Sequence, residues 1–342
     1  MHKKKVGIIG AGDVVIKRIK PAFEYFGYKV ITYSNTFENN SIFIDAVDAW
    51  LDTLKDIDII WIATPSYAHI NYLKKLINLN KFIVIEKPIT CIKEELKEVE
   101  NILNTYNRKK LFFTSYYILE KALPLYFFNN LQKEYLKYFE FYENEILKET
   151  LNINEIKNNL GNLKKIKVKI IEGEDKRTWP YLNKNGTHLI ETFIHNILIA
   201  SQFTNSPKNW QNISITSKGY KIIEKEKSPT SIVFIAKDND ILIDLEMAKN
   251  KEKYELKRYA KLDFENGYIF MNFEDQSLKI FYNKKDIYEI RIKKEFKDVK
   301  YSIQVDLVLR CFNKECKSIN IDGLTNQLEI INYLLEIKKE LL

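Results

Sequence analysis

Short runs of consecutive apolar residues recur through the first third of the chain and alternate with stretches whose apolar residues fall at helical spacing. Lys5–Ile9, Tyr28–Tyr33, Ile57–Ala63, Lys81–Ile85 and Lys110–Ser115 read as strands apolar at almost every position, the pattern of strands covered on both faces. Between them lie Asp13–Gly27, Ile70–Leu79 and Lys93–Tyr106, the last with Leu96, Val99, Ile102 and Leu103 along one helical face. Strand and helix alternating in this way predict a parallel α/β sheet. Beyond Ser115 the pattern changes to strands in series, at Ile166–Ile171, Ser228–Ala236, Ile241–Met247, Tyr254–Tyr259 and Tyr268–Phe273. Short turns such as Asp238-Asn239-Asp240 and Glu265-Asn266-Gly267 join them, which implies an antiparallel or mixed sheet. The expected organisation is an α/β domain over residues 1–117 and an α+β domain over 118–342. Leu131–Asn162 is charged and helix-prone, with no assigned role, and Leu324–Leu342 reads as a closing amphipathic helix.

Candidate chemistry gathers where the first-domain strands end. Gly10-Ala11-Gly12 follows the first strand directly and precedes Asp13-Val14-Val15 at a helix start. Gly10 permits a tight turn, Gly12 lets a pyrophosphate approach the amides of Asp13 and Val14, and Asp13 can cap the helix. A strand, a glycine turn and a helix in this order predict a dinucleotide-binding Rossmann domain. Val15 replaces the third glycine of the usual pattern. The second strand ends in Ser34-Asn35, without the carboxylate that usually holds the ribose hydroxyls of NAD, so NADP is favoured over NAD. Ala63-Thr64-Pro65 closes the third strand in a rigid turn suited to the nicotinamide ribose, and His69, a helix-start residue packing beneath that loop, is counted with Glu86 and Lys87 among the cofactor-binding residues. Glu86-Lys87-Pro88 ends the fourth strand, placing a lysine within reach of both cofactor and substrate.

Taken together, Val6–Val14 with Pro21-Ala22, then Ala63-Thr64-Pro65 with His69, then Glu86-Lys87-Pro88, resemble the glucose-fructose oxidoreductase and inositol dehydrogenase family, abbreviated Gfo/Idh/MocA. In the second half, Trp179 and Gly186-Thr187-His188-Leu189-Ile190-Glu191-Thr192-Phe193-Ile194-His195 look like the family segment in which a pair of glycines opens a helix bearing an acidic residue and, four positions on, the catalytic histidine. Thr187 and Phe193 stand where the family has glycines, Glu191 stands for an aspartate, and Leu198 for a second aspartate. Residues four apart share a helical face, so Glu191 and His195 are expected to point into one cleft. The resemblance implies that Lys87 and His195 carry the chemistry, with Tyr117, Trp179, His188 and Glu191 as substrate contacts. It also implies that the second sheet presents one face to a subunit partner in a homodimer or homotetramer. A fainter similarity to glucose-6-phosphate dehydrogenases keeps phosphorylated sugars among the candidate substrates, with Tyr117 and Lys121 as contacts.

The expected activity is hydride transfer between NADP or NAD and a hydroxyl or carbonyl on a sugar, sugar phosphate, nucleotide sugar or similar polar metabolite. An imine or double-bond reductase of the same fold, or a sensor that binds the cofactor without turnover, is the alternative. Net charge of +8 is spread among interleaved Lys and Glu without a basic stripe, which argues against nucleic acid and for anionic small ligands. No apolar run approaches a membrane span. Three cysteines, Cys91, Cys311 and Cys316, form no pattern and lack nearby histidines, so no metal site is expected and a reducing, cytoplasmic setting is.

Overall fold

The computed structural model describes residues 4–36, 41–44, 48–106, 110–115, 117–182, 184, 186–249, 256–283, 285–314 and 321–341. The chain divides into two compact units, Met1–Tyr116 with Lys294–Leu328, and Tyr117–Lys293 with Glu329–Leu342. The expectation that everything past residue 117 forms one domain therefore needs correcting, because Lys294–Leu328 returns to the first unit.

In the first unit, β1 (Lys5–Ile9), β2 (Lys29–Ser34), β3 (Ile42–Phe43), β4 (Ile59–Ile62), β5 (Phe82–Ile85) and β6 (Leu111–Phe113) form a parallel sheet in the order β3-β2-β1-β4-β5-β6. The two-residue β3, which the sequence pattern does not announce, adds an edge strand beside the end of β2. A π-helical turn (Val15–Ile19) runs into α1 (Lys20–Tyr25), and α2 (His69–Leu76) and α3 (Lys93–Thr105) supply further crossovers. Val6, Ile8, Ile59, Ile60, Ile62, Ile83, Val84 and Ile85 are fully buried, as strands covered on both faces require. After the second unit, the chain comes back as α8 (Lys294–Asp298) and α9 (Ser302–Phe312). Helix α9 packs on α1, the Phe312 ring meets Phe82 edge-on at 5.8 Å, and Lys4 Nζ donates to Asn313 Oδ1 at 2.9 Å.

The second unit opens with a π-helical turn (Tyr117–Lys121) and α4 (Leu123–Asn130). The charged stretch that reads as helix-prone holds a 3-10 segment (Lys133–Tyr138), two strands, β7 (Phe139–Glu143) and β8 (Ile146–Lys148), and only then α5 (Ile153–Leu160). Alternation of buried Phe139 and Phe141 with half-buried Glu140 and Tyr142 explains the strand, a period of two that the surrounding charges obscure. Next come β9 (Leu163–Ile171), α6 (Thr187–Glu191), α7 (Ile194–Ala200), β10 (Gln211–Ser217), β11 (Tyr220–Ile223), β12 (Glu226–Pro229), β13 (Ser231–Asp238), β14 (Ile241–Ala248), β15 (Lys257–Phe264), β16 (Gly267–Asn272), β17 (Ser277–Tyr282) and β18 (Lys285–Ile292). Ten of these strands form one open sheet, ordered β10-β13-β14-β9-β15-β16-β17-β18-β7-β8, with every pairing antiparallel except β14 with β9. Strands β11 and β12 make a separate ribbon. The chain ends in α10 (Ile321–Leu341).

Candidate active site

Each loop that leaves the carboxyl edge of the first sheet brings one element of the site. Gly10 has φ +116°, and a Cβ there would lie 2.5 Å from the Ala63 carbonyl oxygen, so only glycine lets the β1 and β4 loops approach this closely. Gly12 is different: a Cβ would meet nothing within 4 Å, which leaves the backbone at the start of the first helix open beside Asp13 and Val14. An open glycine face at a helix N-terminus fits the phosphates of a dinucleotide. At the tip of β2, Ser34 is buried and its Oγ accepts from the Thr36 amide at 3.2 Å and lies 3.0 Å from Thr36 Oγ1. The Ser34 hydroxyl thus shapes the turn, while Asn35 and Thr36 are exposed.

The end of β5 is held more elaborately than its sequence suggests. Glu86 is buried, with Oε1 accepting from Trp61 Nε1 at 3.2 Å and Oε2 from Thr114 Oγ1 at 2.8 Å, so β4 and β6 grip it from both sides. Burial pushes its carboxyl above the usual range, while the Thr114 hydrogen bond and the charge of Lys87 act the other way. The Thr114 carbonyl in turn accepts from Gln327 Nε2 of α10 at 3.3 Å. Lys87 itself is half-buried beside this carboxyl. Thr64 Oγ1 and Ser115 Oγ, following β4 and β6, are buried with no hydrogen-bond partner among the described residues.

His69, the first residue of α2, is buried under two of these loops. Its Nε2 lies 2.8 Å from the Thr64 carbonyl oxygen and its Nδ1 2.9 Å from that of Pro88. Burial lowers its pKa from 6.5 to about 4; the facing carbonyls pull it up, and the neighbouring Lys87 charge pushes it down.

In the second unit the histidine segment is two helices. Glu191 ends α6, and His195 is the second residue of α7, its amide bonded to the Thr192 carbonyl at 3.1 Å. The expectation of one continuous helix with Glu191 and His195 four apart on one face is therefore overturned. The break has a local cause: the Phe193 amide reaches back to the His188 carbonyl at 3.1 Å, and His188 Nδ1 lies 3.0 Å from Thr192 Oγ1. Gly186 enters α6 at φ +76°, and Thr187 follows at φ +61°, a left-handed conformation in which a β-branched residue is strained. That is the position where the family resemblance expects glycine. His188, Glu191 and His195 are all buried. The Tyr181 ring packs edge-on against His188 at 4.3 Å, and its hydroxyl donates to the Asp175 carbonyl at 3.1 Å. Burial and the nearby Asp175 charge drive the Tyr181 phenol up to about 12. Beneath His195, Asn196 Nδ2 donates to the carbonyls of Val168 on β9 and Glu246 on β14, at 3.2 and 3.0 Å, fixing α7 to the sheet. Asn196, Trp61 and Thr114 are supports that sequence reasoning missed, because an asparagine in an apolar helix and a tryptophan in an apolar strand carry no motif. The side chains of Tyr117 and Trp179, expected as substrate contacts, lie outside the described residues.

Among the described residues, no three His, Cys, Asp or Glu side chains group as metal ligands, and no helix is long and apolar enough to cross a membrane. Cys91 is buried, with the Ser66 hydroxyl donating to its Sγ at 3.5 Å, and Cys311 is disulfide-bonded, which does not fit the expectation of a reducing setting.

A parallel sheet in this order with an open glycine turn after β1 defines a Rossmann-type dinucleotide-binding fold. Residues 4–117 match the model of the Gfo/Idh/MocA oxidoreductase family, NAD-binding Rossmann fold. Over the whole chain the fold is similar to UDP-N-acetylglucosamine 3-dehydrogenase GnnA from Acidithiobacillus ferrooxidans, with TM-score 0.67, 14% identity, and 100% of this chain and 98% of that one covered. It is also similar to levoglucosan dehydrogenase, with TM-score 0.70, 15% identity and coverage of 100% and 98%. A levoglucosan dehydrogenase complex with NADH and L-sorbose aligns with TM-score 0.69 at 14% identity, covering 98% of this chain and 97% of that one. No curated protein sequence matches.

Proposed function

We propose that the protein is an NAD(P)-dependent dehydrogenase or reductase that interconverts a hydroxyl and a carbonyl on a carbohydrate-like metabolite. The observation that carries this reading is Lys87, half-buried at the carboxyl end of β5, between Glu86, which Trp61 and Thr114 anchor, and Pro88, whose carbonyl shares the His69 ring with that of Thr64. Sugar and nucleotide-sugar dehydrogenases among the proteins of similar fold support the substrate class. Gly10, Gly12, Asp13, Val14, Asn35, Ala63, Thr64 and Pro65 would hold the cofactor, which supplies hydride transfer when bound. Lys87 would hold the reacting substrate oxygen and stabilise negative charge as it develops there. His195 would exchange the proton of that oxygen, with His188, Glu191, Tyr117 and Trp179 shaping the rest of the substrate pocket. NADP is preferred on this reading, since the exposed Asn35 and Thr36 offer amide and hydroxyl groups and no carboxylate to a 2′-phosphate, on a turn shaped by the buried Ser34 hydroxyl. The second sheet would pair subunits through the face bearing the half-buried Tyr259, Phe270 and Phe281, giving a homodimer or homotetramer.

The deciding experiment follows nicotinamide absorbance while sugars, sugar phosphates and nucleotide sugars are screened with both cofactors. Turnover with one of these classes is the expected result. Cofactor binding without turnover across the panel would replace this reading with that of a sensor.

A further inference from the structure

His69 has a buried imidazole whose two nitrogens face main-chain carbonyls of two different loops, Thr64 after β4 and Pro88 after β5. Nothing about packing a histidine at the first residue of a helix demands this arrangement. An apolar side chain would fill the volume without bringing ring nitrogens to within 2.8 and 2.9 Å of two oxygens. The loops so joined have unequal support. Glu86 is held by side-chain hydrogen bonds from both neighbouring strands, whereas Thr64 Oγ1 has no partner among the described residues. The His69 ring therefore refers the Thr64-Pro65 loop to the better-anchored Lys87-Pro88 loop. A neutral imidazole carries one N–H, so it donates to one carbonyl at a time. The groups around the ring are the Thr64, Pro88 and Ile89 backbone, the Lys87 ammonium and, beyond it, the buried Glu86 carboxyl.

We propose that His69 is a positioning residue, a clasp that fixes the spacing between the Thr64-Pro65 loop and Lys87 so that the cofactor ring and the reacting oxygen are presented in register. This rests on the function proposed above, in which the first loop lines the nicotinamide and Lys87 holds the substrate. His69 itself touches neither. Its contribution is geometric: a nucleophile or acid held a fraction of an ångström out of place costs rate even when binding survives.

The test compares His69→Phe, which keeps the ring volume but loses both nitrogens, with His69→Gln, which keeps a side-chain donor. Both are made in the full chain. Calorimetric titration with NADPH and NADH measures affinity, steady-state kinetics separate kcat from KM, and thermal melting reports folding. His69→Phe is expected to weaken cofactor binding and lower kcat by roughly tenfold each, about the effect of losing one buried hydrogen bond. His69→Gln should recover part of both. If His69→Phe melts lower yet keeps cofactor affinity and kcat per folded molecule within about twofold, the residue only fills space and the clasp is overturned. Should neither variant fold, wild-type protein labelled with 15N in its histidine rings decides the matter. The His69 signals, assigned by elimination against variants of His2, His188 and His195, are expected to shift when NADPH is added, and unmoved signals would overturn the clasp. Wild-type protein that binds neither cofactor would instead defeat the proposed function, so the two failures are distinguishable.

Discussion

Lys87 is half-buried beside the Glu86 carboxyl, and the surrounding residues hold that carboxyl in place. Glu86 supplies an opposing charge but is itself buried, and Trp61 and Thr114 keep it oriented. On the proposed function, Lys87→Ala and His195→Ala should each lower kcat by about two orders of magnitude or more while the protein still folds. Steady-state assays beside circular dichroism check both parts. On the same proposal, cofactor choice rests on single side chains. Ser34 is buried and engaged with Thr36, whereas Asn35 is exposed at the same strand end, so Asn35→Asp should shift preference towards NAD(H) more than Ser34→Asp does. Titration of each variant with both cofactors measures the shift. His69 gives the first unit a pH dependence. Its pKa is 6.5 in the unfolded chain and about 4 in the fold, so folding favours the neutral ring. The resulting stability is fully present above pH 6.5 and is lost as pH falls through about 4, an effect of about 3 kcal/mol. Glu86, raised by burial, acts in the opposite sense, its protonation favouring the fold as pH falls. Denaturant melts at pH 7 and pH 4 should therefore show a smaller acid loss in His69→Gln than in the wild type, since both proteins share the Glu86 contribution.

Elements differ in how far the sequence exposes them. The strands of the first sheet are legible because burial on both faces leaves them almost wholly apolar, and the glycine turn is legible because a close approach to Ala63 excludes any side chain at Gly10. Strand β7 is hidden because its alternation is short and set among charges, and β3 because two residues make no pattern. The lysine after β5 can be read from its motif. The contacts of its neighbours, Glu86 with Trp61 and Thr114 and Pro88 with His69, cannot, because those partners lie on other elements and meet them only in space. The break between α6 and α7 was equally unreadable, since it depends on a backbone bond from Phe193 to His188 and on the conformation of Thr187. Asn196 governs where α7 rests. Asn196→Ala removes two buried hydrogen bonds to the sheet and should destabilise the second unit by about 1–3 kcal/mol. Asn196→Asp should cost more, because it deletes the donor and sets a carboxylate against two carbonyl oxygens. Urea melts rank the two, and a fall in kcat for Asn196→Ala would tie the helix position to His195.

For the molecule as a whole, the division into two units is not a division of the chain into two halves. The first unit contains Lys294–Leu328, which places α9 on α1, Phe312 against Phe82, and Gln327 on the carbonyl of Thr114. A fragment ending at residue 117 is therefore expected to melt below the first unit of the full chain and to exchange amide protons faster across β5 and β6, as hydrogen exchange would show. The same feature bears on how the protein is made. A ribosome that has delivered the glycine turn, the Thr64-Pro65 loop and Lys87 must still synthesise the 177 residues of Tyr117–Lys293 before the segment that completes the first unit emerges. At about 5–20 residues per second this is a wait of roughly 10–35 s. During that interval the helix-covered face of α1 and the Phe82 ring lack their final neighbours, and the nascent chain offers chaperones an apolar surface that the finished protein conceals.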